Sequence, residues 1–346
     1  MPVFTHAQLR QYSAPVFEAA GVPSSEAQIV SDALVDANLA GHDSHGVMRL
    51  PSYINWIEAG DFVPGAPFEI AAEADAFAVV DGNWGFGQVQ GRRAMQIAID
   101  KARKAGAATV SGRNCTHLGR LGDYPRMAAD QGLAAVMYIN THGAGRLVAP
   151  FGGIERRLSA NPVAIAIPRA NAKPIVLDIS TCQIAEGKIR NMNVEGKPVP
   201  AGCIIDSEGN PTTDAAEFYG PPQGALLPIA GHKGFGLGFV FDILAGAVSG
   251  AGCSRDDAKR IGNGFLMHVI DIDRLRGAID FSIDVEALIE YVKSSKLAPG
   301  FDEIMVPGEP ELRNESDRRA NGIPVPDGTV ESLNKVASKY NVAGLA

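Results

Sequence analysis

The stretch GHDSHGVMRL (41–50) places two histidines, an aspartate, a serine and an arginine within ten residues of a chain that has only seven histidines. An imidazole titrates near neutrality and can give or take a proton. An arginine can hold a carboxylate by two parallel charge-assisted bonds. Ser44, His45 and Arg49 therefore have the composition of one side of a site for an organic acid. A polar helix end is the plainer reading, since a cationic group is favoured at a helix C-terminus. His42 and Asp43 are read in that plainer way.

Other turns carry similar groups. His117 sits in the glycine-bracketed NCTHLGRLGDY (114–124), Thr141 and His142 follow LAAVMYIN, and Ser180 and Thr181 follow PIVLDIS. His232 and Lys233 stand in GHKGFG, just outside an apolar helical run. Solvated turns are rich in Gly and Asn but seldom in His, so the joint pattern favours a site at the ends of elements. His142 and His232 also read as turn-stabilising residues, His6 as solvated, and His268 as lying in or beside a strand. There is no HxxxH pair and no His–carboxylate spacing typical of zinc, so no metal is expected. No GxSxG elbow appears, so Ser44 has no support as a nucleophile.

These residues need elements to hold them. THAQLRQYSAPVFEAAG reads as an amphipathic helix with Thr5 as cap, ended by Gly21. PSSEAQIVSDALVDANLAG reads as a second helix capped by Ser24 or Ser25, and VMRLPSYINWIEAG as a third. Strands are expected at AFAVVDG (76–82), AATVSGRN, LAAVMYIN, NPVAIAIPR, PIVLDIS, HVIDIDRL and FDEIMVPG. Between and beyond them GQVQGRRAMQIAIDKARKAG, GDYPRMAADQG, the start of QIAEGKIRNMNVEG, SIDVEALIEYVKSS and ESLNKVASKYN read as helices, with a Pro- and Gly-rich loop over 209–224. The alternation predicts a mixed α/β body under a largely helical N-terminal region. The apolar run over 234–252 is interrupted by Asp242 and reads as a buried helix rather than a membrane span.

Strand AFAVVDG, the glycines of GNWGFGQVQG and a following helix imitate the opening of a Rossmann unit, in which glycines admit a pyrophosphate to a helix N-terminus. The next strand ends in SGRN without an acid for a ribose diol, although Arg113 would suit a 2′-phosphate. A glycine-rich strand-to-helix turn is the preferred reading.

The bulk numbers bound the function. A net charge of −8 with scattered cations argues against a nucleic-acid surface. The four cysteines (115, 182, 203, 253) show no paired spacing, as in a reducing compartment. MPVFTHAQLR lacks the form of a signal peptide. A chain acting in the cytoplasm, without membrane or nucleic-acid partners, is the expectation.

Seven blocks in order carry a family resemblance: SHGVMRLPSYI (44–54), GQVQGRRAM (87–95), NCTHLGRLGDY (114–124), VAPFGGIERRLSANPVAIAIP (148–168), LDISTCQIAEGKI (177–189), GALLPIAGHKGFGL (224–237) and PGEPE (307–311). The chain resembles the malate/L-lactate dehydrogenase family of NAD(P)-dependent oxidoreductases. That group is distinct from the Rossmann-type dehydrogenases and includes sulfolactate and ureidoglycolate dehydrogenases and diketogulonate and piperideine-carboxylate reductases. The resemblance implies a non-Rossmann dinucleotide-binding body on a largely antiparallel sheet, residues 73–310. It also implies a helical substrate-side and dimerisation region over 1–72, to which a C-terminal segment, 311–346, returns.

By the same resemblance His117 is the catalytic histidine, and Ser44, His45 and Arg49 form the substrate end. His117 is then the acid/base, His45 polarises the carbonyl oxygen or relays a proton through Ser44, and Arg49 holds the carboxylate. The cofactor is expected at Thr141, Asp178, Ile179, Ser180, Lys233, Pro307, Gly308 and Glu309. Two departures stand out: His142 and Gly143 replace small residues and proline, and Leu118 stands where phenylalanine is common. Interconversion of a small 2-oxo acid and its 2-hydroxy acid is the expected reaction. Reduction of a cyclic imine carboxylate, or a non-catalytic dinucleotide-binding role, are the alternatives. NADP is expected alongside or in place of NAD, with Arg113, Arg120 and Arg146 as open candidates for an anion contact, and a homodimer is implied.

Overall fold

The computed structural model describes residues 1–258 and 260–345; Ala346, the last residue of the expected C-terminal segment, lies outside them. The chain opens with strand β1 (Val3–Phe4) and helices α1 (His6–Ala19) and α2 (Ser24–Leu39). Thr5 caps α1 in a reciprocal box with Gln8. α2 begins after Pro23 with no side-chain cap, so neither Ser24 nor Ser25 has the expected role. Glu26 in its first turn instead accepts from the Gly65 N–H at 2.9 Å. Two short 3₁₀ turns, Asp43–His45 and Val47–Arg49, lead into α3 (Leu50–Glu58).

The body follows as β2 (Glu69–Ala74), β3 (Phe77–Asp81), α4 (Gly87–Ala105), β4 (Ala107–Cys115), α5 (Asp123–Ala129), β5 (Leu133–Asn140), β6 (Val163–Ile167) and β7 (Ile175–Ile179). An excursion comprises α6 (Glu186–Glu195), β8 (Ile204–Ile205), β9 (Pro211–Thr212), α7 (Ala215–Tyr219) and β10 (Ala225–Leu226). Then come α8 (His232–Asp242), a π-helical turn (Ile243–Ala247), β11 (Asn263–Asp271), α9 (Ile272–Leu275), α10 (Ala278–Lys293), α11 (Glu309–Asn321), β12 (Ile323–Pro324) and α12 (Asp327–Lys339).

The main sheet has the order β2-β3-β4-β11-β5-β6-β7, and every neighbouring pair except β3–β4 is antiparallel. Its register brings the candidate turns together. Strand β11 lies between β4 and β5, with Asn263 opposite Cys115 and Gly264 opposite Asn140. Val163 of β6 pairs with Tyr138 of β5 and Ile179 of β7. The C-terminal ends of β4, β5 and β7 therefore meet at one edge of the sheet. The turns bearing His117, Thr141 and Ser180 leave from that edge.

Two apolar cores frame it. One joins Leu9, Phe17, Val30, Leu34, Leu50, Tyr53 and Phe86 to Leu333 and Ala337 of α12, so the C-terminal helix packs on the N-terminal ones. The other lies under α4 and α5, with Met95, Ile99, Val110, Met137 and Met267.

Several local expectations need correction. FDEIMVPG forms no strand, HVIDIDRL is the end of a strand begun at Asn263 followed by helical α9, and the helix in QIAEGKIRNMNVEG occupies its later part. The loop over 209–224 contains β9 and α7. The apolar run over 234–252 is not a buried helix: Leu237, Phe239, Val240, Ile243 and Val248 stand 41–54% exposed. Its glycines are the reason. Gly234 and Gly246 face backbone or side-chain atoms so closely that an added Cβ would approach them to 2.2 and 2.4 Å, so the glycine side lies on the body and the bulky side faces out. Among the described residues no helix is long and apolar enough to cross a membrane.

Candidate active site

The turn after α2 is held by a single amide. Asn38 accepts from the Val47 N–H at 2.8 Å through Oδ1 and donates to Asp43 Oδ1 at 2.6 Å. That amide presses on Gly46, where a Cβ would come within 2.3 Å of Asn38 Oδ1, so the turn between the two histidine-bearing residues and Arg49 requires glycine. Arg49 donates from Nε to the Ser44 carbonyl at 2.6 Å, its one side-chain hydrogen bond among the described residues. Its two terminal nitrogens remain for a ligand. Gly187 in α6 closes on the other side, where an added Cβ would lie 2.9 Å from the Ser44 Cβ.

The loop after β4 is equally fixed. The Gly87 N–H, in the first turn of α4, donates to Thr116 Oγ1 at 3.0 Å. The Leu118 N–H donates to Asn263 Oδ1 at 2.9 Å, and Asn263 donates onward to the Asn140 carbonyl at 2.9 Å. A Cβ on Gly87 would lie 2.4 Å from the Thr116 carbonyl oxygen and 2.5 Å from that of His117. The glycines of GNWGFGQVQG thus let α4 close against the His117 loop, and the space that a Rossmann turn gives to a pyrophosphate is filled by protein.

These two loops bring His45 and His117 face to face, ring centroids 5.3 Å apart and 14° from parallel. The Tyr53 hydroxyl lies 2.6 Å from His117 Nδ1 and accepts from Gln88 Nε2 at 2.8 Å. A hydroxyl can donate to a neutral imidazole nitrogen and accept from a protonated one. The same contact therefore holds His117 whichever way the proton moves. His45 Nδ1 is buried and has no partner among the described residues.

Charge at the pair is scarce by construction. Burial, then the Arg49 cation and the His45 ring, push His117 well below 6.5. Burial, then Arg49, His42 and Arg120, push His45 down to about 3. Burial raises the Tyr53 hydroxyl to about 12, so it stays protonated. Two neutral imidazoles and a neutral phenol stand beside the Arg49 cation, whose charge also feels Glu186 and Arg190.

The other candidate residues lie along the same sheet edge. Asp178, at the end of β7, accepts from the Gly122 N–H at 2.7 Å, and burial raises its carboxyl above the ordinary value. Ile179 is 39% exposed, and Ser180 follows it. The carbonyl of the next residue, Thr181, accepts from the Ile229 N–H at 2.9 Å just before α8, whose exposed Lys233 is in the first turn. Thr141 leaves β5 with its hydroxyl bonded to the Ala144 carbonyl. The Val176 N–H donates to the Pro307 carbonyl at 3.2 Å, and Gly308 (φ 95°) lies so close that a Cβ would meet the Val176 nitrogen at 2.9 Å. Glu309 accepts from the Val306 N–H and pairs with Lys293. Pro307, Gly308 and Glu309 thus stand beside β7, two residues along from Asp178.

Some side chains resolve differently. His142 (φ 57°) accepts from the Asn114 N–H at 2.8 Å through Nε2, and burial lowers it to about 4; it ties the ends of β4 and β5 together, as a turn residue would. Arg113 is engaged by Asp81 at 3.0 Å and Arg146 by Asp256. Arg120 is buried, reaches Asp123 at 2.7 Å, and keeps a buried Nε without a partner. Tyr53 and Gln88 were missed by sequence reasoning. Tyr53 lies four residues beyond Arg49, one helical turn on, which was a usable signal. Gln88 had no local signal beyond its place in GQVQG.

The chain matches the description malate/L-lactate dehydrogenase over residues 4–334. It is 36% identical over 340 residues to the L-lactate dehydrogenase of Cupriavidus necator, covering 96% of this chain and 97% of that one. Among solved structures, malate dehydrogenase from Pyrococcus horikoshii superposes with a TM-score of 0.90 at 35% identity, over 99% of this chain and 97% of the other. The delta1-piperideine-2-carboxylate reductase of Pseudomonas syringae superposes with a TM-score of 0.85 at 29% identity, over 97% and 100%. A match over almost the whole length, at 36% identity to the C. necator enzyme, means that the chain belongs to the malate/L-lactate dehydrogenase family and is an oxidoreductase.

Proposed function

We propose that the protein interconverts a small 2-oxo acid and its 2-hydroxy acid with NAD or NADP as hydride carrier. The observation that carries the reading is Arg49, which presents two free nitrogens beside the paired imidazoles of His45 and His117. Reduction of a 2-oxo acid consumes one hydride at the carbonyl carbon and one proton at its oxygen. Arg49 binds the carboxylate in two places and so fixes where the neighbouring carbonyl lies. That carboxylate offsets the Arg49 charge that depresses both histidines, so substrate binding favours proton uptake at the pair. His117 delivers this proton in reduction and accepts it in oxidation, held at Nδ1 by Tyr53, while His45 polarises the same oxygen or relays the proton through Ser44.

A nicotinamide, when bound, supplies or takes the hydride. Thr141, Asp178, Ile179, Ser180, Lys233 and the turn Pro307–Gly308–Glu309 are the residues proposed to hold the dinucleotide. Their chemistry fits it: Asp178 is a half-buried carboxyl acceptor for a sugar hydroxyl, Ile179 an exposed apolar surface for a flat ring, and Arg120 a buried cation with an unpaired Nε. Arg113, Arg120 and Arg146 are each paired with a carboxylate, and of the three Arg120 keeps a buried Nε without a partner, so it is the arginine proposed to meet a phosphate of NAD or NADP. The reading takes 1–72 and 311–346 as the substrate side and 73–310 as the dinucleotide body. It includes a homodimer formed through the 1–72 region, and a cytoplasmic location in keeping with four unpaired cysteines.

The test follows reduced-nicotinamide absorbance with NADH and NADPH against pyruvate, oxaloacetate, sulfopyruvate and piperideine-2-carboxylate. Turnover of an oxo acid supports the reading. Turnover of the cyclic imine alone replaces it with the second reading, which the likeness to the P. syringae reductase favours. No turnover of any member by protein that binds neither dinucleotide would sink both.

A further inference from the structure

His42 and Asp43 look like idle polar residues at a helix end, yet both are gripped from the far end of the chain. Helix α11 presents Glu311, Asn314 and Arg318 at spacings of three and four, hence on one face. Glu311 pairs with His42 at 3.3 Å. The Asn314 amide lies against Gly41, where a Cβ would approach it to 2.4 Å. Arg318, 15% exposed, takes both oxygens of Asp43 at 2.6 and 3.0 Å and also donates to the Asn38 carbonyl. Asp43 is shared with Asn38, whose amide in turn holds Val47, so the grip encloses both sides of His45. The same helix starts at Glu309, directly from the Gly308 turn packed on β7.

We propose that Glu311 and Arg318 are positioning residues: α11 is a rigid strut that carries the state of the Pro307–Gly308–Glu309 turn to the loop bearing Ser44, His45 and Arg49. The inference rests on the reading that this turn holds the dinucleotide. A rigid helix suits the task, since Glu311 and Arg318 are about 10 Å apart along one axis and move together. Cofactor arrival at one end then sets the substrate-side histidine at the other.

Hydrogen exchange of residues 40–50, whose amides at His45 and Gly46 are bonded within the loop and at Val47 to Asn38 of α2, reads this directly. Saturating NADH is expected to slow exchange there by about tenfold in the wild type, a coupling of ordinary allosteric size. In Arg318→Gln and in Asp43→Asn the slowing should fall to within about twofold of none, with NADH affinity changed less than about threefold. kcat should drop about tenfold while KM for NADH holds. The exchanged pair Asp43→Arg with Arg318→Asp should restore part of the slowing. Arg319→Gln, at a neighbouring residue paired to Glu315 alone, should behave as wild type. Undiminished slowing in folded Arg318→Gln, as direct cofactor contact with the loop would give, overturns the strut. Failure of the wild type to bind NADH or NADPH overturns the cofactor reading, and the strut with it.

Discussion

At the residue scale the site is an exercise in withholding charge. His117→Ala is expected to cut turnover by about 10²–10⁴-fold while dinucleotide affinity stays near wild type, because the imidazole moves the proton and does not hold the cofactor; steady-state kinetics with a binding titration separates the two. Tyr53→Phe keeps the ring in its core and removes only the hydroxyl at His117 Nδ1, so a smaller loss in kcat, about tenfold, is expected at unchanged thermal stability to within a few degrees. The pH dependence has a definite sign. In the free enzyme His117 sits well below 6.5, so at neutral pH it is a ready base and a rarely protonated acid. kcat/KM for reduction should therefore fall about tenfold per unit as pH rises through the neutral range, whereas kcat/KM for oxidation should stay level there and decline only in acid. A reduction profile flat from pH 6 to 8 would mean that His117 keeps its proton and that the burial argument is wrong.

At the scale of elements, glycines set the distances that side chains then use. Gly87→Ala puts a methyl 2.4 Å from one carbonyl oxygen and 2.5 Å from the next, and neither is a flexible side chain that could swing away. Either α4 or the His117 loop has to move. A loss of activity is expected that exceeds what the accompanying destabilisation, about 1–3 kcal/mol, explains at assay temperature; urea unfolding beside kcat tests it. How much of this was legible follows from where the information lies. The helices α1, α4 and α12 and strands β3 to β7 carry their own periodicity, so they could be read from local pattern. Strand β2 (EIAAEA) is an exposed sheet edge and α11 (EPELRNESDRRAN) has no buried residue, so neither shows an apolar stripe. FDEIMVPG has strand-like residues but no partner strand. His45, His117 and Arg49 were found because residue type and a family pattern marked them. The grips on His42 and Asp43 were not, since Glu311 and Arg318 lie some 270 residues away and no local rule connects them.

At the scale of the whole molecule the same buried histidines tie stability to pH. His45 is held down to about 3, His142 to about 4, and His117 well below its ordinary value, all first by burial. In the unfolded chain each would titrate near 6.5, so below that pH the unfolded state binds more protons than the folded one. The sign is therefore fixed: the contribution is whole above about 6.5 and is lost progressively as pH falls toward the folded values. Each such group costs up to about 1.4 kcal/mol per unit across its own window. Asp36 and Asp178 work the other way, since burial raises both carboxyls; each takes a proton in the folded state before it would in the unfolded one, and acid relieves them. Three histidines outweigh these two carboxyls over pH 6.5 to 4, so the urea midpoint should fall steadily across that range. His142→Gln separates this from general acid effects, because its amide oxygen can still accept from the Asn114 N–H without titrating. The variant is expected to lose part of the slope below pH 6.5 while keeping turnover, since His142 joins strand ends and leaves the proton transfer to His117. An unchanged slope would place the acid sensitivity elsewhere in the chain.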